Sequence, residues 1–134
     1  MELKKSYKGF VWWMIGFTAA LFAICFLPTE DGGLLTRLIC IEMTVGIALL
    51  TYIIYRTEYV YWYNGTTYEE AVAAGSQRRK AFALKHFERF AWCAAICLLF
   101  SLAAHALGWS FWLDMCVHCI ALIAVAISTI RIKL

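Results

Sequence analysis

The chain has 134 residues, of which 63% are hydrophobic. A soluble domain contains roughly 45–50% apolar residues, so this composition excludes a water-soluble fold whose helices need polar outer faces. The formal net charge of +3 is too small to indicate binding to nucleic acid. The apolar residues form four blocks of roughly 18–22 residues, the length that crosses a bilayer core as a helix. We therefore predict a single membrane domain over residues 1–134.

The first membrane helix is predicted at about residues 10–27. Three lysines precede it and two tryptophans stand at its entry, an arrangement typical of interfacial anchoring. Pro28 ends the helix, because the residue before a proline is disfavoured in the helical region. A short, acidic and glycine-rich turn then leads to the second helix.

The second membrane helix is predicted at about residues 34–58. Glu42 is the one charged residue among the 18 that separate Arg37 from Arg56. At the helical rise this stretch spans about 27 Å, close to the thickness of the hydrocarbon core. We expect the helix to continue beyond the membrane through the aromatic residues at 59–63, which are typical of an interfacial belt.

A loop of about residues 59–88 separates the second and third membrane helices. The segment from Thr66 to Glu70 places a threonine three residues before a glutamate, the pattern of a capping box. This pattern predicts a short helix inside the loop. Gly75 then ends that helix, because glycine favours backbone conformations that break helices.

Basic residues dominate the second half of the loop, where Arg78, Arg79 and Lys80 follow one another. Phenylalanines stand between the later charges, which predicts a partly amphipathic helix that runs into the third membrane helix. The three cations are candidates for binding anionic lipid headgroups or a membrane or cytoplasmic protein partner. The alternative is the ordinary excess of basic residues on the cytoplasmic side, without a further role.

The third and fourth membrane helices are predicted at about residues 89–107 and 111–130. Lysines and arginines are concentrated near both termini and in the middle loop, whereas Arg37 stands alone near the two short connections. The positive-inside rule therefore places both termini in the cytoplasm of a cell-membrane protein. Short connections make the joined helices antiparallel neighbours. The predicted fold class is an all-α antiparallel four-transmembrane-helix bundle with a short amphipathic helical cytoplasmic loop.

Five ionisable residues from three helices fall in the outer half of the predicted bundle: Glu42, His118, Asp114, His105 and Arg37. An ionisable side chain in lipid costs at least about 2.5 kcal/mol, so it usually faces a partner or a cavity. Asp114 and His118 lie one turn apart on the same helix face. We predict that this group binds or relays a proton, a cation or a small polar substrate, or that Glu42, Asp114 and His118 hold a divalent metal ion.

A structural role is the alternative for each of these residues. Arg37 and Asp114 fit an interfacial position, where a carboxylate suits the first turn of a helix, and His105 fits the surface. His118 fits a core histidine that bonds a backbone carbonyl. Glu42 fits a static ion pair with Arg37 or His118 that holds the second helix in register.

The six cysteines include a Cys-x-x-Cys pair, Cys116 and Cys119, in the fourth helix. This tetrapeptide, together with the number of helices, resembles the vitamin K epoxide reductase family, which exchanges disulfides with a quinone. The resemblance implies redox chemistry at Cys116 and Cys119. That family also carries a cysteine pair in a long loop after its first helix, whereas the corresponding connection here is short and has no cysteine.

Three functions follow from these features. The leading hypothesis is a small transport or channel protein, acting as a homo-oligomer, with a polar site around Glu42 and His118. The alternative is a non-catalytic accessory or regulatory subunit that binds a partner through its cytoplasmic loop. The third is a membrane thiol oxidoreductase that uses Cys116 and Cys119. The sequence contains no nucleotide-binding loop, serine triad or HExxH motif, which makes enzyme activity the less favoured class.

Overall fold

The computed structural model describes residues 3–63 and 65–134. Four α-helices occupy Lys8–Cys25 (α1), Gly32–Thr57 (α2), Tyr68–Ala106 (α3) and Phe111–Ile130 (α4), and a short 3-10 turn covers Val60–Trp62. The described residues contain no strand. All four helices are long and apolar enough to cross a membrane, which agrees with the predicted all-helical, multi-pass membrane class.

The largest difference from the expected helix ranges is in α3, which begins at Tyr68 and is 39 residues long. The capping box at its start is confirmed. The Thr67 hydroxyl accepts from the Glu70 N–H at 3.1 Å, and the Glu70 carboxylate accepts from the Thr67 N–H at 2.8 Å. Gly75 interrupts the helix with φ +76° and ψ 163°, so the chain turns there and then resumes the helix.

The expected continuation of the second helix through residues 59–63 is wrong. α2 ends at Thr57, and Glu58 adopts the left-handed conformation with φ 60° and ψ 20°. Few residues other than glycine and asparagine adopt that conformation without a compensating interaction. The compensation here is tertiary, because the buried Glu58 carboxylate accepts hydrogen bonds from Ser76 and Arg79 of α3.

The chain beyond α2 folds back into a compact cap. Its buried core contains Ile54, Val60, Tyr61, Ala71, Phe82 and Ala83, and Leu3, Ile132 and Leu134 pack against it. Both described chain ends therefore meet the 58–67 connection at one end of the molecule, which we name the terminal end. The two short connections lie together at the other end, the turn end, because the Phe111 side chain packs beside Gly33.

α2, α3 and α4 pack against one another, whereas α1 packs mainly on α2 and has no buried residue. α1 approaches α2 closely at Gly46. The Trp13 indole N–H donates to the Gly46 carbonyl at 3.0 Å, and the Phe17 ring lies over the Gly46 Cα. Large apolar side chains point outward from all four helices, which suits a surface surrounded by lipid. Those at least 60% exposed include Trp12, Phe22, Trp92, Ile96, Leu99, Ile120, Ile123, Ile127 and Ile130.

Candidate functional site

Arg37 is the centre of a polar cluster at the turn end. Its Nε donates to Asp114 Oδ2 at 2.8 Å, and Nη1 lies 3.2 Å from His105 Nδ1. Nη2 donates to the backbone carbonyl of Trp109. The guanidinium therefore joins α2, α3, the α3–α4 connection and α4 through one side chain. A planar cation with several fixed donors is well suited to that role.

Asp114 is completely buried, and Arg37 is 8% exposed. Asp114 lies in the first turn of α4, where the helix dipole also stabilises a carboxylate. Its second oxygen, Oδ1, is buried and has no hydrogen-bond partner among the described residues. His105 lies at the surface, as one interpretation expected, yet its ring also contacts the guanidinium.

His118 occupies a second polar contact, deeper between the helices. Its Nδ1 lies 3.0 Å from the Thr44 hydroxyl of α2, and its Nε2 lies 2.9 Å from the Ser101 hydroxyl of α3. All three side chains are buried. Both ring nitrogens therefore have partners, and His118 connects three helices.

The direction of these hydrogen bonds follows from the donors available. The Thr44 hydroxyl donates back to the Cys40 carbonyl at 2.8 Å, so towards His118 it acts as an acceptor. Nδ1 of a neutral His118 then carries the hydrogen and Nε2 accepts from Ser101. The result is a chain of three hydrogen bonds: Ser101 donates to His118, His118 donates to Thr44, and Thr44 donates to the Cys40 carbonyl.

Glu42 does not belong to either cluster. It is half-buried on α2 and, within the described chain, forms no ion pair or hydrogen bond. The structure thus pairs Arg37 with Asp114, and His118 with two hydroxyls, and neither with Glu42. Of the five predicted site residues, it brings Arg37, Asp114 and His105 together and keeps His118 and Glu42 separate.

The described residues contain no group of three or more His, Cys, Asp or Glu side chains placed to hold a metal ion. Asp114 and His118 bond to other partners, as described above. Cys116 and Cys119 are exposed, unpaired thiols on α4. Redox activity at these two cysteines stays a prediction from the sequence.

A buried ion pair at the terminal end was not predicted from the sequence. Glu58 accepts from Arg79 Nη2 at 2.9 Å and Nε at 3.1 Å, and from the Ser76 hydroxyl at 2.8 Å. Arg79 Nη1 also donates to the Ala71 carbonyl at 3.0 Å. A signal was present, because Glu58 is the one acidic residue between positions 42 and 69 and a basic run follows.

The three residues of the basic run, Arg78 to Lys80, have different environments because Arg79 pairs with Glu58. Arg79 is buried and bound to Glu58, whereas Arg78 and Lys80 are exposed. Lys80 Nζ lies 3.6 Å from the same carboxylate. Burial raises the pKa of Glu58, but hydrogen bonds from Ser76 and Arg79 and the nearby cations outweigh it, so the pKa is lowered overall.

A cavity of about 960 Å³, which we name the terminal cavity, opens beside the cap. One part of its wall comes from the second half of α2, from α3 and from the last five residues of α4, and another part comes from the cap and the segment after α4. Arg78 and Lys133 supply cations, and Glu70 supplies one acid. The apolar part includes Ile47, Leu50, Phe90, Ala126 and Ile130.

Two polar side chains of the terminal cavity have unused hydrogen-bonding capacity. The Tyr63 hydroxyl is buried without a partner in the described part of the chain, and burial raises the pKa of Tyr63, which keeps the phenol protonated. His86 stacks on Tyr63 with ring centres 4.4 Å apart. Its Nδ1 donates to the Phe82 carbonyl at 3.0 Å, which leaves Nε2 as an acceptor.

The Arg37 and His118 clusters therefore consist of direct contacts between helices, with Asp114 Oδ1 as a buried atom without a hydrogen-bond partner in the described part of the chain. The terminal cavity offers space and two cations. No protein family, curated protein or solved structure matches this chain.

Proposed function

We propose that this chain is a non-catalytic membrane protein of the accessory or regulatory type, and that its terminal cavity binds an amphipathic ligand with an anionic group. The observation that carries the proposal is the composition of the cavity wall. Apolar helix residues line one part and Arg78 and Lys133 line another. A volume of about 960 Å³ lies within the usual range of about 300–1,000 Å³ for ligand pockets.

The polar wall matches the head of such a ligand. Arg78 and Lys133 attract an anionic group. The Tyr63 ring also borders the cavity, although its hydroxyl is buried. The apolar wall between Leu50, Phe90 and Ile130 then takes a hydrocarbon chain.

The membrane-depth residues support a scaffold role for the helices. Arg37 and His118 already bind partners on three helices, so little of their hydrogen-bonding capacity is left for a substrate. The Glu58–Arg79 pair fixes the end of α2 against α3. A rigid scaffold lowers the entropy lost when a preformed cavity takes up its ligand.

We also propose that the four helices form an antiparallel bundle in the cell membrane, with the terminal end in the cytoplasm. The excess of lysine and arginine near the chain ends and in the middle loop supports this orientation. The terminal cavity then lies at the cytoplasmic membrane boundary. Amphipathic ligands concentrate at such a boundary, because it offers water to the head and hydrocarbon to the chain.

The test measures binding of oleoyl lysophosphatidate, a single-chain anionic amphiphile, to the purified full chain. Monoolein, which has the same chain and no charge, is the comparison ligand, and native mass spectrometry counts the bound molecules. Arg78→Gln should weaken oleoyl lysophosphatidate binding by about tenfold or more, because a charged hydrogen bond contributes about 1.5–3 kcal/mol. Ala126→Phe should reduce binding of both ligands by filling the apolar wall.

The controls are Lys4→Gln, which also removes one positive charge, and Ala19→Phe, which makes the same change as Ala126→Phe. Both lie at exposed positions outside the cavity. Both controls should bind like the wild type. Equal loss of binding in Arg78→Gln and Lys4→Gln would contradict the proposed site and indicate general charge attraction.

Transport is the second candidate function, and Glu42 is the observation that favours it. A half-buried carboxylate without an ion pair in an apolar helix is expensive and often functional. In a homo-oligomer, symmetry would bring several copies of Glu42 around one pathway. Proton and cation flux in liposomes should then fall in Glu42→Gln and persist in Glu88→Gln, a control at an exposed acid. Absence of flux in the wild type excludes this function under those conditions.

A further inference from the structure

A second cavity, of about 420 Å³, lies at the terminal end of α3 and α4, and we name it the basic cleft. Four of its six lining residues are cationic and one is acidic. Ile132 and Lys133 line the terminal cavity as well, so the segment after α4 borders both cavities. The lining consists of Lys85, Glu88, Arg89, Arg131, Ile132 and Lys133.

None of these four cations takes part in an ion pair in the described part of the chain, and Glu88 is the one acid in the lining. In the described part of the chain, the ion pairs join Arg37 to Asp114 and join Glu58 to Arg79 and Lys80. None of them involves a residue of the basic cleft. Like charges held close together repel one another, so an anion that enters the cleft relieves this repulsion.

Two helices assemble the cleft. Lys85 and Arg89 lie one turn apart on α3, and Arg131 and Lys133 follow the end of α4. The Arg89 guanidinium donates to the Ser128 carbonyl in the last turn of α4, which holds the two elements together. The cationic groups are therefore brought together by tertiary structure and do not result from one basic run in the sequence.

The cleft adjoins an outward apolar surface. Trp92 lies three residues beyond Arg89 on α3 and is 70% exposed. On α4, Ile127 and Ile130 precede Arg131 and are 60% and 77% exposed. Side chains of this size and exposure suit contact with lipid chains. An anion in the cleft would thus stand at the boundary between hydrocarbon and water, where lipid headgroups lie.

We propose that the basic cleft binds the headgroup of a membrane phospholipid that carries two phosphate groups. Basic pockets between membrane helices commonly take such headgroups. The cleft contains four cations and one acid. A single phosphate would leave most of this positive charge without a partner, so a headgroup with two phosphates matches the cleft better. The cleft shares Ile132 and Lys133 with the terminal cavity, whereas Lys85, Arg89 and Arg131 line the cleft and not the terminal cavity. The proposal therefore rests on these three cations and does not depend on the ligand proposed for the terminal cavity.

The experiment reconstitutes the full chain in phosphatidylcholine nanodiscs that contain either diphosphatidylglycerol or phosphatidylglycerol, matched in total negative charge. Lipids retained after extraction are counted by native mass spectrometry. The wild type should retain diphosphatidylglycerol in preference. The double variant Lys85→Gln/Arg131→Gln should lose at least about tenfold of that retention, since each surface cation contributes about 1 kcal/mol to anionic lipid binding.

The control is Lys4→Gln/Lys8→Gln, which removes the same charge from exposed positions at the same end of the molecule. It should retain the lipid like the wild type, as should Arg78→Gln in the terminal cavity. All four substituted lysines and arginines of the two double variants are exposed, so folding should be unaffected.

Three results would overturn the proposal. Equal retention of the two anionic lipids would indicate unspecific charge attraction. Equal loss in the cleft variant and the control would place the lipid elsewhere. Displacement of the lipid by soluble inorganic pyrophosphate at comparable concentration would identify a soluble diphosphate as the better ligand.

Discussion

Arg37 and Asp114, which are 77 residues apart in the sequence, form a buried ion pair with 2.8 Å between Nε and Oδ2. The same guanidinium contacts His105 and the carbonyl of Trp109. The pair thereby joins α2 to α4 and to the end of α3. Because a buried charge is costly without its partner, this ion pair fixes which faces of the helices meet.

Removing the acid of this pair should be strongly destabilising. Asp114→Ala leaves Arg37 as an unpaired charge in the interior, and we expect a loss of about 3–5 kcal/mol in the free energy of unfolding. Thermal unfolding in detergent measures it, with Asp31→Ala as a control at an exposed helix cap worth about 1 kcal/mol. The double variant Arg37→Met/Asp114→Leu should recover most of the loss. An Asp114→Ala protein as stable as the control would contradict the role of the pair.

The Ser101–His118–Thr44 chain predicts a second, smaller effect. Ser101→Ala leaves Nε2 of His118 buried without a donor, which should cost about 1–3 kcal/mol. Ser128→Ala is the matched control, because the Ser128 hydroxyl bonds within its own helix to Val125. Unfolding in detergent of both single variants, of Thr44→Val and of Ser101→Ala/Thr44→Val gives a double-mutant cycle. Strictly additive losses would show that His118 does not couple the two hydroxyls.

The lowered pKa of Glu58 predicts a dependence of stability on pH. A carboxyl whose pKa is lower in the folded state stabilises the protein above its unfolded pKa, and this contribution is lost as pH falls through the folded pKa. Glu58→Gln should therefore lose on the order of 3 kcal/mol near neutral pH, and the gap from the wild type should close in acid. Unfolding of both proteins across pH measures the gap, with Glu88→Gln as the control. A gap that stays constant down to the most acid pH would contradict the assignment.

Two glycines of the α1–α2 region should respond oppositely to alanine. A Cβ at Gly46 would lie 2.4 Å from two atoms of the Phe17 ring, which is itself stacked on Trp13, so Gly46→Ala should cost about 1–3 kcal/mol. A Cβ at Gly16 meets nothing within 4 Å. Gly16→Ala should then be neutral or stabilising by up to about 1 kcal/mol. The midpoints of thermal unfolding of the two variants measure these effects. Equal midpoints would indicate that α1 does not pack closely on α2 at Gly46.

The middle segment shows where reasoning from the sequence succeeded and where it failed. The Thr67–Glu70 capping box and the break at Gly75 were predictable, because both depend on atoms within a few residues. The end of α2 at Thr57 was not. The apolar and aromatic residues that follow favour a longer helix, but the Glu58 side chain finds its partners Ser76 and Arg79 on another helix.

The amino-acid sequence by itself determined four apolar helices of membrane length and the capping box at Thr67, because hydrophobicity and capping act over one or two helical turns. Only the tertiary structure decided that Arg37 pairs with Asp114 and not with Glu42. The distance of a residue from the end of its helix follows from the number of residues between them, which can be read from the sequence. The partner of a buried charge depends on how each helix rotates about its axis, and that rotation is set by side-chain packing between segments far apart in the chain.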